Sequence, residues 1–189
     1  MALGVADAMA EYLQLGGHEV LLDYGTGTGV VALRLAPLAK EVICADSSRG
    51  MLDVLDGKIR SSGRTNARTI LLDLEQIRGD VELPRVDVVV SSMAMHHIAD
   101  TGALLRSFFS LLAPGGRIAL ADLDTEPGDF HEDNTGVQHF GFDRAQLEAL
   151  AAEAGFVEVA TSTTYRMKKQ TAAGIERDFP IFLLTGQRS

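Results

Sequence analysis

Apolar positions in this chain fall into two alternating kinds of run. Over residues 3–15, Ala6, Met9, Ala10 and Leu13 recur at helical spacing until Gly16-Gly17 breaks the pattern. A compact apolar run at about 19–24 follows and is closed by Asp23 and Gly25, as expected of a buried strand. Val30, Leu33, Arg34 and Leu35 begin a second helix, which Pro37 limits. Glu41 to Ala45 predicts a second strand ending at Asp46. Ser47 or Ser48 is then placed to cap a helix whose Met51, Leu52, Leu55 and Ile59 share a face until Ser61-Ser62-Gly63. Thr69 to Leu72 reads as a third strand ending at Asp73. Val86 to Val90 has four valines in five residues and reads as a fourth strand, covered on both faces. Asp100 or Thr101 starts a helix carrying Leu104, Leu105, Phe108, Leu111 and Leu112, and Pro114-Gly115-Gly116 closes it before a fifth strand, Arg117 to Leu123.

The polar stretch from Asp124 to Gly141 shows no period, and loops of that length in small domains are mostly functional or mobile. Asp143 with Gln146 three residues on resembles a capping box, ahead of a stripe of Leu147, Leu150, Ala151 and Ala154 that ends at Gly155. Two further strands, about 156–165 and 178–186, lie close enough in sequence to form an antiparallel hairpin. This alternation predicts a single α/β domain over residues 1–189, with a short helical segment at 1–18. Its core is a doubly wound (Rossmann-like), mostly parallel seven-stranded sheet, with helices on both faces and the hairpin at the C-terminal end. Ligands of such sheets sit at the carboxyl ends of the strands.

Charge and composition narrow the function. The 189 residues carry 17 basic and 26 acidic side chains, a net charge of -9. That balance repels phosphate backbones and anionic membranes, so neither nucleic acid nor a membrane is an expected partner. The single cysteine, Cys44, rules out an internal disulfide and fits a reducing compartment. With no basic-then-apolar leader and no run of ~20 apolar residues, a cytoplasmic location is expected.

Candidate chemistry centres on Asp23-Tyr24-Gly25-Thr26-Gly27-Thr28-Gly29, a strand end followed by a glycine at every second position. Such glycines let a backbone turn tightly and approach a ligand, and the following helix would aim its N–H groups at whatever lies over the loop. A P-loop is excluded, because no Gly-Lys-Ser/Thr follows. The dinucleotide spacing G-x-G-x-x-A is met from Gly27 to Ala32, so an NAD-dependent oxidoreductase stays open on spacing alone. Asp23, Asp46 and Asp73 close or follow successive strands. Each alone is an ordinary strand-end cap; together, beside the glycine loop, they make a constellation.

With Asp23 in front, the loop resembles the first motif of the class I S-adenosylmethionine-dependent methyltransferases. The resemblance extends over residues 20–156 through Asp46-Ser47, Met51-Leu52, Asp73-Leu74, Asp87 to Ser92, Met95-His96-His97-Ile98, Leu111 to Arg117, and Gly141-Phe142 with Ala154-Gly155-Phe156. The chain looks most like the small-molecule group that includes the ubiquinone and menaquinone biosynthesis methyltransferases. The resemblance implies that Gly25, Gly27 and Gly29 admit S-adenosylmethionine (leaving as S-adenosylhomocysteine) and that Asp23 orients its ammonium group. It further implies that Asp46, beside Ser47, accepts the ribose hydroxyls, that Asp73 and the Leu74 N–H read the adenine, and that Ser91 adds a backbone contact. Met51 is expected either on the adenine face or in the core. The acceptor is expected to be a small molecule.

His96 and His97 follow the fourth strand where an acceptor would approach. Either is a candidate base, or a plain hydrogen-bonding residue of the loop. The stretch 124–141 is expected to border the acceptor site, with His131 and His139 as substrate contacts. Its acids match no zinc or calcium loop spacing, and no metal is expected. Ser91-Ser92-Met93-Ala94 lacks the Asn/Asp-Pro-Pro-aromatic motif of nucleic-acid amino-methylating enzymes. About 19 residues precede the first strand, fewer than in many such enzymes. That leaves an open site, a lid shared within a homodimer, or a binding module without catalysis as alternatives.

Overall fold

The structure, a computed structural model, describes residues 1–73, 84–170 and 174–189. Its elements are α1 (Ala2–Leu13), β1 (Val20–Tyr24), α2 (Val30–Leu35), β2 (Glu41–Asp46), α3 (Arg49–Ser62), β3 (Ala67–Leu71) and β4 (Val86–Ser92). After these come α4 (Thr101–Leu111), β5 (Leu112–Leu123), α5 (Arg144–Glu153), β6 (Phe156–Gln170) and β7 (Glu176–Arg188). Single 3-10 turns occupy Ala36–Leu38, where Pro37 ends the helical path of α2, and Met95–His97.

Among the described residues the sheet has seven strands in the order β3-β2-β1-β4-β5-β7-β6. The first five run parallel, and β7 is antiparallel to both β5 and β6. The doubly wound, Rossmann-like arrangement expected from the sequence is therefore present, with β7 inserted between β5 and β6. The period of two along each strand sorts the core into two layers. Leu21, Val42, Cys44, Val88 and Val90 face α1, α2 and α3, while Leu22, Ile43, Ala45 and Val89 face α4 and α5; Val86 joins the second layer because the register shifts between Val86 and Val88. Three helix starts are capped by side chains that accept a backbone N–H: Ser48 from Met51, Asp100 from Ala103 and Asp143 from Gln146. No helix among the described residues is long and apolar enough to cross a membrane.

The boundaries of β5, β6 and β7 differ from the sequence expectation. β5 begins at Leu112 rather than Arg117, because Val86 pairs with Leu112 and Val88 with Arg117, so Pro114-Gly115-Gly116 loops out as a bulge within the strand. Glycine is required at Gly116, where a Cβ would lie 2.8 Å from the Ala113 carbonyl oxygen and 3.0 Å from that of Asp87. β6 and β7 run beyond the apolar pattern, to Gln170 and from Glu176. Ion pairs join the two strands there, Arg166 to Asp178 at 3.0 Å and Lys168 to Glu176 at 3.8 Å.

The strand order reverses between β1 and β4. The chain winds outward through α2 and α3 on one side and through α4 on the other, which opens a crevice at the carboxyl ends of these two strands.

Candidate functional site

A cavity of about 350 Å³ lies at that crevice. Its walls come from the loop after β1 (Tyr24, Gly25, Gly27), the end of β2 and start of α3 (Asp46, Ser47, Ser48, Met51), and the segment after β4 (Met93, Ala94, His97, Ile98). Gly25, Gly27 and Gly29 all adopt left-handed backbone, with φ of 68°, 54° and 81°. What a Cβ would meet separates them. At Gly25 it would strike the Ala94 Cβ at 2.4 Å, and at Gly29 the Leu55 Cδ1 at 2.2 Å, whereas at Gly27 nothing lies within 4 Å. Two of the glycines thus pack the loop against its neighbours, while at Gly27, on the cavity wall, a Cβ would stand in open space.

Asp46 ties the two sides together. Its Oδ2 accepts the Gly27 N–H at 2.8 Å and its Oδ1 accepts the Ser48 N–H at 2.8 Å. A carboxylate offers about four acceptor sites, so roughly two remain for a ligand diol. Met51 lines the cavity at 46% exposure, which removes the core reading of that methionine. Met93 holds a φ of 58°, an unusual strain for a methionine, and donates its N–H to the Ala121 carbonyl while lining the cavity wall.

Asp23 sits elsewhere. It shares a strand face with Leu21, is 1% exposed, and is not part of the cavity wall. Its Oδ2 accepts the Thr26 hydroxyl at 2.7 Å and the Ala32 N–H at 3.1 Å. The N–H groups expected to face a ligand are in part satisfied by this carboxylate from beneath the loop. Burial pushes its pKa up to about 7, against the two hydrogen bonds that favour the ionised form; the charge of Asp46 pushes it the same way as burial. Ser91 is fully buried and donates its hydroxyl to the Tyr24 carbonyl at 2.8 Å, locking β4 to β1 below the cavity. Asp73 lies two residues past β3, where Leu72 donates its N–H to the Asp46 carbonyl at 3.0 Å. Leu74 lies outside the described residues. Cys44 is buried on the α1–α3 side of the sheet, and burial pushes its thiol up to about 12, which leaves it unreactive.

The histidines divide in the same way. His97 is exposed and lines the cavity, with its Nδ1–H donated to the Gly136 carbonyl at 2.9 Å. His96 is 1% exposed, and its Nδ1 lies 2.7 Å from the Asp122 Oδ1. Asp122 also accepts the His96 and Leu123 N–H groups, so it is an acceptor throughout and His96 donates from Nδ1. His131 comes within 3.1 Å of His96, Nε2 to Nε2, and its pKa is lowered by burial and then by the neighbouring His96 and His97. His139 donates from Nε2 to the Ile98 carbonyl at 2.9 Å, and its own N–H goes to the His96 carbonyl. It fastens the loop and does not line the cavity.

The 124–141 stretch is pinned along its length. Glu126 accepts the N–H groups of Gly128, Asp129 and Phe130, Phe130 is buried against Phe179, and Arg144 grips Asp124 with two hydrogen bonds of 2.6 and 2.8 Å. The sequence reading missed Tyr24, Ser48, Met93, Ala94 and Ile98 as wall residues. The last three follow a predicted strand end, which was the available signal.

Comparison with known proteins agrees with this geometry. The family described as "Methyltransferase domain" matches residues 21–116. An uncharacterized methyltransferase of Schizosaccharomyces pombe is 35% identical over 133 residues, 64% of this chain and 47% of that protein. A demethylmenaquinone methyltransferase of Clavibacter sepedonicus is 30% identical over 109 residues, 58% of this chain and 43% of that protein. The chain thus spans about half the length of these curated relatives. Among solved structures, the YcgJ protein from Bacillus subtilis superposes with a TM-score of 0.79 at 16% identity, covering 97% of both chains. Phosphoethanolamine N-methyltransferase 2 of Haemonchus contortus, in complex with S-adenosyl-L-methionine, gives 0.78 at 16% identity, covering 97% of this chain and 52% of that one. At such identities the likeness is one of fold.

Proposed function

Since the chain belongs to the methyltransferase-domain family, of the class I S-adenosylmethionine-dependent type, we propose that it transfers the methyl group of S-adenosylmethionine to a small-molecule acceptor. The observation that carries the reading is the cavity at the carboxyl ends of β1, β2 and β4, with Gly27 on one wall and Asp46 held between the Gly27 and Ser48 N–H groups. The ribose hydroxyls would take the remaining acceptor sites of Asp46, and Met51 would cover one face of the adenine. Asp73, which follows Leu72 and its hydrogen bond to the Asp46 carbonyl, would accept from the adenine amino group.

Methyl transfer from a sulfonium is an in-line displacement, in which the protein aligns the acceptor atom and excludes water. His97 is the histidine on the cavity wall. Its Nδ1–H is committed to Gly136, so its Nε2 carries a lone pair able to take a proton from an acceptor. His96 supports this segment from beneath through Asp122. The net charge of -9 favours a neutral or cationic acceptor over a polyanion. Calorimetric titration with S-adenosylmethionine, S-adenosylhomocysteine and NAD tests the reading. Micromolar binding of both sulfur nucleosides without NAD is expected; binding of NAD alone would overturn it.

A further inference from the structure

We propose that His96, His97 and His131 form a binding site for a divalent transition-metal ion of the zinc class, set against the edge of the cavity. One ring nitrogen from each of these three side chains lies within 4.8 Å of the other two. The His96 and His131 Nε2 atoms are 3.1 Å apart. Two imidazole nitrogens on one tetrahedral zinc, each bonded at roughly 2.0–2.1 Å, stand about 3.3 Å apart, so this spacing is close to one edge of a zinc site.

The hydrogen bonds around the cluster prepare the nitrogens for metal. His96 donates its Nδ1–H to the buried Asp122 carboxylate at 2.7 Å, and His97 donates its Nδ1–H to the Gly136 carbonyl at 2.9 Å. Each donation fixes the tautomer that leaves the Nε2 lone pair bare. A carboxylate or carbonyl behind a ligating histidine is the usual outer support of a metal site. Asp122 is itself held by the His96 and Leu123 N–H groups, so the imidazole it orients has little freedom. With the His96 Nε2 fixed as a lone pair, the His131 Nε2 facing it either donates an N–H or is bare, and only the second arrangement takes an ion. Three imidazoles with a fourth position open is a common donor set for zinc, and imidazole also suits copper, nickel and iron. The sequence hid the site because His131 reaches it through the aperiodic loop, 34 residues beyond His97.

Metal and acceptor proton would compete for the His97 Nε2, and the site stands or falls independently of methyl transfer. Cobalt(II) titration of the purified, tag-free protein, read by its visible d–d absorption, is the test. One equivalent bound with the intense bands of a tetrahedral nitrogen site is expected, with displacement by zinc. His131→Ala should weaken binding by more than a hundredfold. Asp122→Asn should weaken it about 10- to 100-fold, as loss of an outer-shell partner does. Circular dichroism on each variant verifies folding, and His97→Ala, changed at an exposed position, supplies a second ligand deletion should the His131 variant fail to fold. Absence of tetrahedral bands, or equal binding by wild type and a folded His131→Ala or His97→Ala, would overturn the proposal and leave the His96–His131 contact as a simple hydrogen bond.

Discussion

Gly27 and Gly29 offer a paired test, because both hold positive φ yet face different surroundings. An alanine at either site must adopt left-handed backbone at a cost of roughly 1–2 kcal/mol. At Gly27 that is the whole cost to folding, since the new Cβ meets no atom within 4 Å. At Gly29 the Cβ lands 2.2 Å from the Leu55 Cδ1, and Leu55 is itself fully buried, so overpacking adds about 1–3 kcal/mol. For a chain of this size about 2–4 °C of melting temperature accompanies each kcal/mol. Gly27→Ala should therefore melt about 2–8 °C below wild type, and Gly29→Ala roughly 4–20 °C below. Ligand binding should respond in the opposite order. Gly27 lines the cavity, and a methyl group added there in open space should lower S-adenosylmethionine affinity at least tenfold, or about 1.4 kcal/mol, in a protein that remains folded. Scanning calorimetry and isothermal titration on the same preparations read both effects. Wild-type affinity in Gly27→Ala would remove the cofactor from that wall, and equal destabilisation of the two variants would refute the packing distinction.

Two further predictions concern the acids of the motif. Asp46→Ala should cost about 1.5–3 kcal/mol of S-adenosylmethionine binding, the range for hydrogen bonds to a charged group, or one to two orders of magnitude in Kd; unchanged titration of the folded variant would contradict the ribose assignment. For Asp23, the folded pKa of about 7 exceeds the unfolded value of roughly 3.9, so its contribution to stability is complete below the unfolded pKa and is lost as pH rises through 7. The full shift corresponds to roughly 4 kcal/mol, most of it lost between about pH 4 and 7. Asp23→Asn keeps an acceptor for Thr26 and Ala32 and should flatten that part of the stability profile, gaining on wild type at pH 8; denaturant melts with parallel pH profiles would rule this out.

Much of the architecture was legible because burial leaves a period. The helix stripes at Leu52, Leu55 and Ile59 and at Leu104, Leu105 and Phe108 became the buried faces of α3 and α4, and Asp100 and Asp143 capped the helices they precede. The ends of β5, β6 and β7 were less legible. A bulge around Gly115-Gly116 and cross-strand ion pairs extend those strands without any apolar signal. The site was legible where it is local: Gly25, Gly27, Asp46, Ser47 and Met51 come from two short segments and meet at one cavity. The histidine cluster was not, because its geometry depends on the path of residues 124–141. That path is set by Glu126 gathering three N–H groups and by Phe130 entering the core, and neither feature has a sequence period.

Asp23 and Asp46 show why residue type at a strand end underdetermines role. Both are aspartates at the carboxyl end of neighbouring parallel strands, and β1 and β2 pair in register with Asp23 opposite Cys44. Strand parity does not separate them, since Asp46, two residues past the register partner of Asp23, falls on the same face; position along the strand and the cover over it do. Asp23 falls on the Leu21 face, under α2, where the sheet and helix close over it and its oxygen is taken up by Thr26 and Ala32. Asp46 is one residue beyond the register partner of Tyr24, on a strand whose end is uncovered, and its side chain turns to the mouth of the crevice. A carboxylate enclosed in the first setting is pushed toward neutrality and stabilises a turn. One left at the edge of water keeps acceptor sites to spare for a ligand. The two positions are therefore separable by experiment: substitution at Asp23 should move stability and its pH dependence, and substitution at Asp46 should move affinity.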